Sequence, residues 1–304
     1  MSKRGHYDSV VIGGGPAGLS AGLLLGRSGR NTVVCDSGEY RNDPSTHVWS
    51  FLTRDGVSPS EFRELGRREV GSYETVEYRP DRVTDVEAVA DGFAVTIGDA
   101  EDVSTRTIVL ATGLSDAIPP IHGVDDLWGE RVLHCPYCHG WDVRDESFAV
   151  FAPNEQFLHY VKILLQWSDD LTVLTHGESW ITDETNDAFD ANDISVVDDP
   201  ISRVDRTDRG LNISLESGET LARDVLWVYP DSTQRSPIAE SLGCSFTQEG
   251  IVETDERGRS SVDGVYVAGD AGRPSHQVSF AVSDGAMAGI TINADLAAEE
   301  FGSR

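Results

Sequence analysis

Lysine is nearly missing from this chain of 304 residues: only Lys3 and Lys162 carry it, and arginine supplies every other side-chain cation apart from histidine. The 24 basic residues face 52 acidic ones, and the formal charge of −28 repels phosphate backbones and anionic headgroups, so neither nucleic acid nor a membrane surface is expected as a partner. So much acid has to lie on the surface, and with arginine in place of lysine it reads as salt adaptation of the halophilic kind, with an ordinary acidic mesophile protein as the plainer alternative. Cysteine is scarce as well. Four cysteines cannot staple a chain of this length, so the fold rests on a core, for which a hydrophobic share of 39% suffices, and the length admits about two ordinary domains. The apolar run at 10–25 follows Lys3 and Arg4 as a signal peptide would, but Gly13, Gly14, Gly15 and Pro16 break it into a strand and a tight turn. With no other long apolar run, no low-complexity tract and no short repeat, a cytoplasmic location is expected.

What the chain does have is a β-α-β pattern, twice. Residues 7–12 read as a strand, 13–18 as a turn, 19–27 as a helix and 32–35 as a second strand that ends at Asp36. Two strands around Asp91-Gly92 and an apolar strand at 108–111, closed by Thr112-Gly113, complete a first layered α/β domain. The pattern restarts with a strand at 148–151, a helix at 157–167 and a strand at 171–174, followed by strands at 194–197, 211–215 and 225–229. Residues 264–270 then precede a long helix from about 277 to 299.

Gly13-x-Gly15-x-x-Gly18 follows a strand and opens a helix, and Asp36 comes eighteen residues after the last glycine. The first glycine permits the turn, the second lets backbone meet a pyrophosphate, the third allows close helix-strand packing, and Asp36 is placed for a ribose hydroxyl. A tight turn without ligand is the plainer alternative. When Ile12 is laid on Phe151, the glycines fall on Ala152, Asn154 and Phe157, and Asp36 falls on Thr175. Glu155 adds charge beside the would-be phosphates, and 171–200 holds no arginine for a 2′-phosphate. The second loop is therefore expected to fail at nicotinamide nucleotide, or to bind it only weakly.

Cys135-Pro-Tyr-Cys138 can open and close as a short disulfide ring. His134 and His139 could complete a zinc set, but they stand too close for the usual ligand separation, so a redox pair is the better reading and no metal is expected. His139 is a candidate acid and base, or else a polar cap for the next loop. Cys35 and Cys244 read as inert core residues.

The run from Val11 to Gly18, then Ala111-Thr112-Gly113, Cys135-x-x-Cys138, and Gly269-Asp270 with Gln277 beyond, resembles the low-molecular-weight thioredoxin reductase family over essentially the whole chain. The resemblance implies two Rossmann-like three-layer α/β domains. An FAD domain of residues 1–116 and 236–304 would surround an inserted, degenerate NADPH-type domain at 117–235 that carries the redox pair. It further implies a homodimer. Gly13, Gly15, Pro16, Ala17, Gly18 and Asp36 would hold the FAD pyrophosphate and ribose. Val83, Thr112, Gly113 and Gly269 would line the same crevice. Asp270 would take the ribityl chain, and Gln277 and Val278 would present a helix start to the flavin. In the catalytic set, Cys138 would face the flavin, Cys135 would be the outward cysteine and His139 the acid and base.

His139 stands where most of the family has an acid, which resembles the Cys-x-x-Cys-His branch containing dithiol oxidases of pathways such as gliotoxin and holomycin formation. The lost second loop resembles members that do not draw on NADPH. The expected activity is thus FAD-dependent thiol-disulfide exchange with a thioredoxin-like protein or a small dithiol, and with oxygen, ferredoxin or another non-nicotinamide partner. An NADPH-dependent thioredoxin reductase and a non-catalytic flavoprotein sensor are the alternatives.

Overall fold

The computed structural model describes residues 5–99 and 101–303; Lys3 and Arg4, the charged head of the signal-like run, lie outside them. The chain divides into two compact units. The first holds the described residues up to Asp43, Val57–Ser115 and those from Ser232 onward, and the second holds Pro44–Gly56 and Asp116–Asp231. This departs from the expected boundaries in three ways, the smallest being that Asp116 opens the second unit instead of closing the first. The return to the first unit falls at Ser232 instead of 236, and Pro44–Gly56 belongs with the second unit. The latter rests on a close backbone approach: Gly129 has φ 81°, and a Cβ there would stand 2.7 Å from the Pro44 carbonyl oxygen. Such long-range packing leaves no trace in local periodicity.

In chain order the first unit opens with β1 (His6–Ile12), α1 (Pro16–Arg27), β2 (Thr32–Cys35), α2 (Pro59–Val70), β3 (Val76–Arg79), β4 (Val83–Val89), β5 (Gly92–Ile97) and β6 (Glu101–Leu110). The chain leaves along β7 (Leu114–Ala117) and builds β8 (Val132–Leu133), α3 (Pro136–His139), β9 (Phe148–Phe151), α4 (Leu158–Leu164), β10 (Leu171–Leu174), α5 (Asp183–Asp190), β11 (Ser195–Val197), β12 (Ile201–Arg206), β13 (Leu211–Leu215), β14 (Thr220–Arg223) and β15 (Val225–Val228). It returns through β16 (Asp231–Gln234) and ends with α6 (Ile238–Ser241), β17 (Val265–Val267) and α7 (Val278–Gly302).

The first sheet runs β3-β2-β1-β6-β5-β4, with β17 also paired to β6; its β1, β2, β3, β6 and β17 are parallel, and β4 and β5 join β6 as an antiparallel meander. The second unit repeats the plan with the parallel order β11-β10-β9-β15-β8 and a separate antiparallel sheet β12-β13-β14. Both parallel sheets are covered on both faces, and for that reason their strands read as unbroken apolar runs. Val10 and Ile12 enter one core while Val11 enters the other; likewise Phe148 and Val150 point to one side of β9, Ala149 and Phe151 to the other. At about 25 cal/mol per Å² of apolar surface removed from water, this double burial dominates the stability of both units.

Helix boundaries moved for local reasons. The first helix begins at Pro16, three residues ahead of the sequence expectation, because a first-turn proline needs no N–H partner and already has a helical φ. The helix expected at 157–167 is shorter: a 3-10 turn at Glu155–Phe157 precedes α4, which covers only Leu158–Leu164. Among the described residues no helix is long and apolar enough to cross a membrane.

Candidate active site

The register of the first sheet sets Ile12 beside Cys35 and Leu110, and Leu110 beside Val267. The residues that follow these strands, Gly13, Asp36, Thr112, Gly113, Gly269 and Asp270, therefore gather at the carboxyl end of the sheet. The order reverses there between β1 and β6, the usual place for a dinucleotide.

The glycines divide by what requires them. A Cβ at Gly13 (φ 114°) would lie 2.3 Å from the Ala111 carbonyl oxygen, and one at Gly18 would lie 1.8 Å from that of Gly13. These two are demanded by the protein's own packing. A Cβ at Gly15 would meet no heavy atom within 4 Å. Gly15 precedes α1, which opens without a side-chain cap and without an acid in its first turn, so first-turn N–H groups face open space suited to a pyrophosphate. This geometry fits FAD. A Cβ at Gly14 would come within 2.2 Å of Asp36 Oδ2, so this glycine too is required by packing. Pro16 and Ala17 form the first turn, and Ala17 is 6% exposed under α7.

Asp36 is only 3% exposed, and its carboxylate accepts from the Gly38 N–H at 3.1 Å and from the hydroxyls of Tyr40 and Tyr78, both at 2.5 Å. Besides the ribose role read from spacing, it braces the loop after β2. Within that loop Arg41 Nη1 reaches Asp270 Oδ2 at 2.9 Å, a pair the sequence reading missed because nothing local links residues so far apart. Gly113 (φ 66°) has open space at its Cβ position, Gln277 caps α7 in extended conformation, and Val278 is the first helical residue. Val83 differs from the rest: it starts β4 with its side chain buried in the core, leaving only backbone for a ligand. Asp284, on α7 with Arg273 Nε at 3.3 Å, was also unforeseen, and burial raises its carboxyl above the usual range.

In the second unit, β8 pairs with β15 through Val132 and Leu133, and the chain then turns into Cys135, which caps α3. Cys135 and Cys138 are joined in a disulfide with Cα atoms 5.2 Å apart. The Cys135 carbonyl accepts from the N–H groups of Cys138 (3.0 Å) and His139 (3.1 Å), closing a tight turn. Burial holds the His139 imidazole below its ordinary pKa, with Asp142 acting against the shift and His47 with it. His47 comes from the segment Pro44–Gly56, and its only sequence signal was a second ring two residues on, Trp49, on which it stacks at 5.1 Å. Cys35 and Cys244 are buried free thiols, and burial pushes Cys35 up to about 12, so neither competes for redox chemistry.

The second loop aligns with the first as overlaid from the sequence. Phe151 pairs with Leu174 as Ile12 does with Cys35, and the Ala152 N–H donates to the Leu174 carbonyl as the Gly13 N–H does to that of Cys35. Asn154 Oδ1 accepts the Gln156 N–H at 3.1 Å, a group that the open Gly15 position leaves available in the first loop. The Trp180 indole N–H donates to the Ala152 carbonyl at 2.7 Å, so an aromatic side chain sits on the loop itself. Thr175 is fully buried, with its hydroxyl on Asp198.

A dinucleotide cradle in one α/β unit and a Cys-x-x-Cys disulfide in a second define a flavin-dependent disulfide oxidoreductase. The sequence pattern of the pyridine nucleotide-disulphide oxidoreductase family matches residues 7–150 and 164–285, and the chain belongs to that family. The match is interrupted across the second loop. The chain is 32% identical to thioredoxin reductase sirT of Leptosphaeria maculans, over 96% of each chain. Among solved structures it is similar to HlmI, with a TM-score of 0.94 and 36% identity over 100% of this chain and 96% of that one. It is also similar to TrxB from Bacillus anthracis, with a TM-score of 0.92 and 31% identity over 97% and 99%. The protein is thus an FAD-dependent enzyme of the thioredoxin reductase type.

Proposed function

We propose that this enzyme passes electrons between FAD and the Cys135–Cys138 pair without using NADPH. The observation that carries the reading is the closed second loop, where Asn154 caps its own helix start and Trp180 binds the Ala152 carbonyl. A lost N–H contact to a charged ligand costs about 1.5–3 kcal/mol, so the Gln156 N–H taken up by Asn154 alone weakens nicotinamide nucleotide binding about tenfold or more. Glu155 adds repulsion.

In this reading a partner thiolate attacks Cys135 Sγ and the S–S bond breaks, leaving Cys138 as thiolate. A second partner thiolate then displaces Cys135, yielding a partner disulfide and the reduced pair. His139 moves the protons, and a half-buried imidazole held below its ordinary pKa suits that work near neutrality. FAD, when bound, takes up or gives back the electron pair. The thiol partner is a thioredoxin-like protein or a small dithiol, and the other partner is non-nicotinamide: oxygen in the oxidising direction, ferredoxin in the reducing one. The histidine directly after the second cysteine supports membership of the Cys-x-x-Cys-His branch.

A homodimer belongs to the same proposal. Phe280, Met287, Ile290 and Phe301 are exposed on α7, an apolar stretch on a chain of −28 charge, and a second copy would cover it. The cytoplasmic location and the salt adaptation read from composition complete the proposal. The test is anaerobic mixing of the flavin-loaded protein in molar salt with millimolar NADPH, NADH or dithiothreitol while the flavin absorbance is followed. Bleaching by dithiothreitol alone is expected; bleaching by NADPH within seconds overturns the reading in favour of an NADPH-dependent reductase.

A further inference from the structure

We propose that Tyr160 is a positioning residue for the redox pair: its hydroxyl tethers the carbonyl of His134 and so holds Cys135 within reach of Cys138. This rests on the thiol exchange proposed above.

The sheet holds the approach to the turn weakly. Its edge strand β8 has two residues, and the chain leaves the ladder at His134, directly before Cys135. There the Tyr160 hydroxyl donates to the His134 carbonyl at 2.7 Å, a bond that reaches the turn from outside it. The donor is itself fixed. Tyr160 is 8% exposed and makes edge contacts with the rings of Trp227 (centroids 6.3 Å apart) and Tyr229 (5.8 Å), so little rotamer freedom is left to lose. Burial also raises the phenol above its ordinary pKa, which favours the protonated, donating form. On the other side the His134 ring stacks on Trp128 at 5.2 Å with planes 12° apart. The residue before Cys135 is held by both its backbone and its ring.

In the register that sets Phe151 on Ile12, Tyr160 falls on Ala21 of α1, a fully buried small residue beneath α7. The helix that in the first unit opens on an open cradle carries, in the second, a long side chain directed at the redox turn. Two thiols kept in one place close to a disulfide more readily than two that wander, through their effective concentration. The tether therefore favours the oxidised pair in the exchange with a reference dithiol, in which the pair takes two electrons and two protons and the reference becomes a disulfide.

The experiment measures that equilibrium on flavin-loaded protein, anaerobically and in molar salt, against graded ratios of reduced to oxidised dithiothreitol, with acid quench and alkylation to count thiols. Tyr160→Phe removes only the hydroxyl, and Tyr160→Met fills the space without any donor. Either is expected to shift the equilibrium toward the dithiol form by about three- to tenfold, the range of one lost hydrogen bond. Tyr229→Phe, which keeps the edge contact, should stay within twofold of wild type. A purely structural role for Tyr160 would lower the melting temperature and leave the equilibrium alone, and that result overturns the proposal. So does failure of both variants to fold, which would make Tyr160 a requirement of the core. If the wild-type pair itself does not cycle with dithiothreitol, the proposed function fails; if it cycles and Tyr160→Phe matches it, only the tether fails.

Discussion

Arg41 Nη1 lies 2.9 Å from Asp270 Oδ2, two largely buried side chains that bring together the loop after β2 and the turn after β17. In a chain with more than twice as many acids as bases, this cation offsets the carboxylate that the family resemblance assigns to the ribityl chain of FAD.

Arg41→Met is accordingly expected to weaken FAD binding about tenfold, since it leaves Asp270 unpaired near a polyanion and removes a charged hydrogen bond of about 1.5–3 kcal/mol. Arg41→Lys should recover part of the loss. Fluorescence titration of the apoprotein with FAD checks this, and an unchanged affinity for Arg41→Met would show that the pair only joins two loops.

Gly15 and Gly18 should separate binding from folding. Gly15 has φ −74° and an open Cβ position, so Gly15→Ala should melt like wild type yet retain FAD poorly. Gly18→Ala, with its Cβ 1.8 Å from the Gly13 carbonyl oxygen, should cost about 2 kcal/mol or more of stability before any ligand is added. Calorimetry on the two apoproteins decides, and equal melting losses would remove the distinction.

For His139, the acid limb of dithiol exchange is expected below pH 6.5, because burial lowers the imidazole from its value of 6.5. The same shift sets the sign for stability. As pH falls below 6.5 the unfolded chain binds a proton that the folded His139 refuses, so stability declines until pH passes the lowered folded value. His139→Ala should slow exchange by about 10²-fold and erase that limb. A change under about threefold would favour a capping role.

Salt should stabilise the fold. Repulsion among −28 charges acts over a Debye length of about 10 Å at 0.1 M salt and about 3 Å at 1 M. Local pairs oppose this on a smaller scale: Arg106 meets Glu299 and Glu300 at 2.8 Å and Asp8 at 3.4 Å, partly exposed contacts of modest worth. A melting temperature that climbs by several degrees between dilute buffer and molar potassium chloride is the expected result, and a flat profile would remove the salt-adapted reading.

The glycine spacing, the apolar strands and the Cys-x-x-Cys pair were legible because each is a short-range pattern with a local physical cause: a turn that needs φ above zero, a strand buried on both faces, two thiols one turn apart. The missing glycines of the second loop could be read for the same reason, by comparison with the first loop. Composition alone carried the charge. Tertiary structure decided what depends on residues distant in sequence. It assigned Pro44–Gly56 to the second unit, set Arg41 on Asp270, laid the Asp36 carboxylate over Gly14, brought Trp180 to the Ala152 carbonyl and aimed Tyr160 at His134. None of these pairs shares a turn or a strand, so only burial of two cores, which folds the chain back on itself, could bring them within bonding distance.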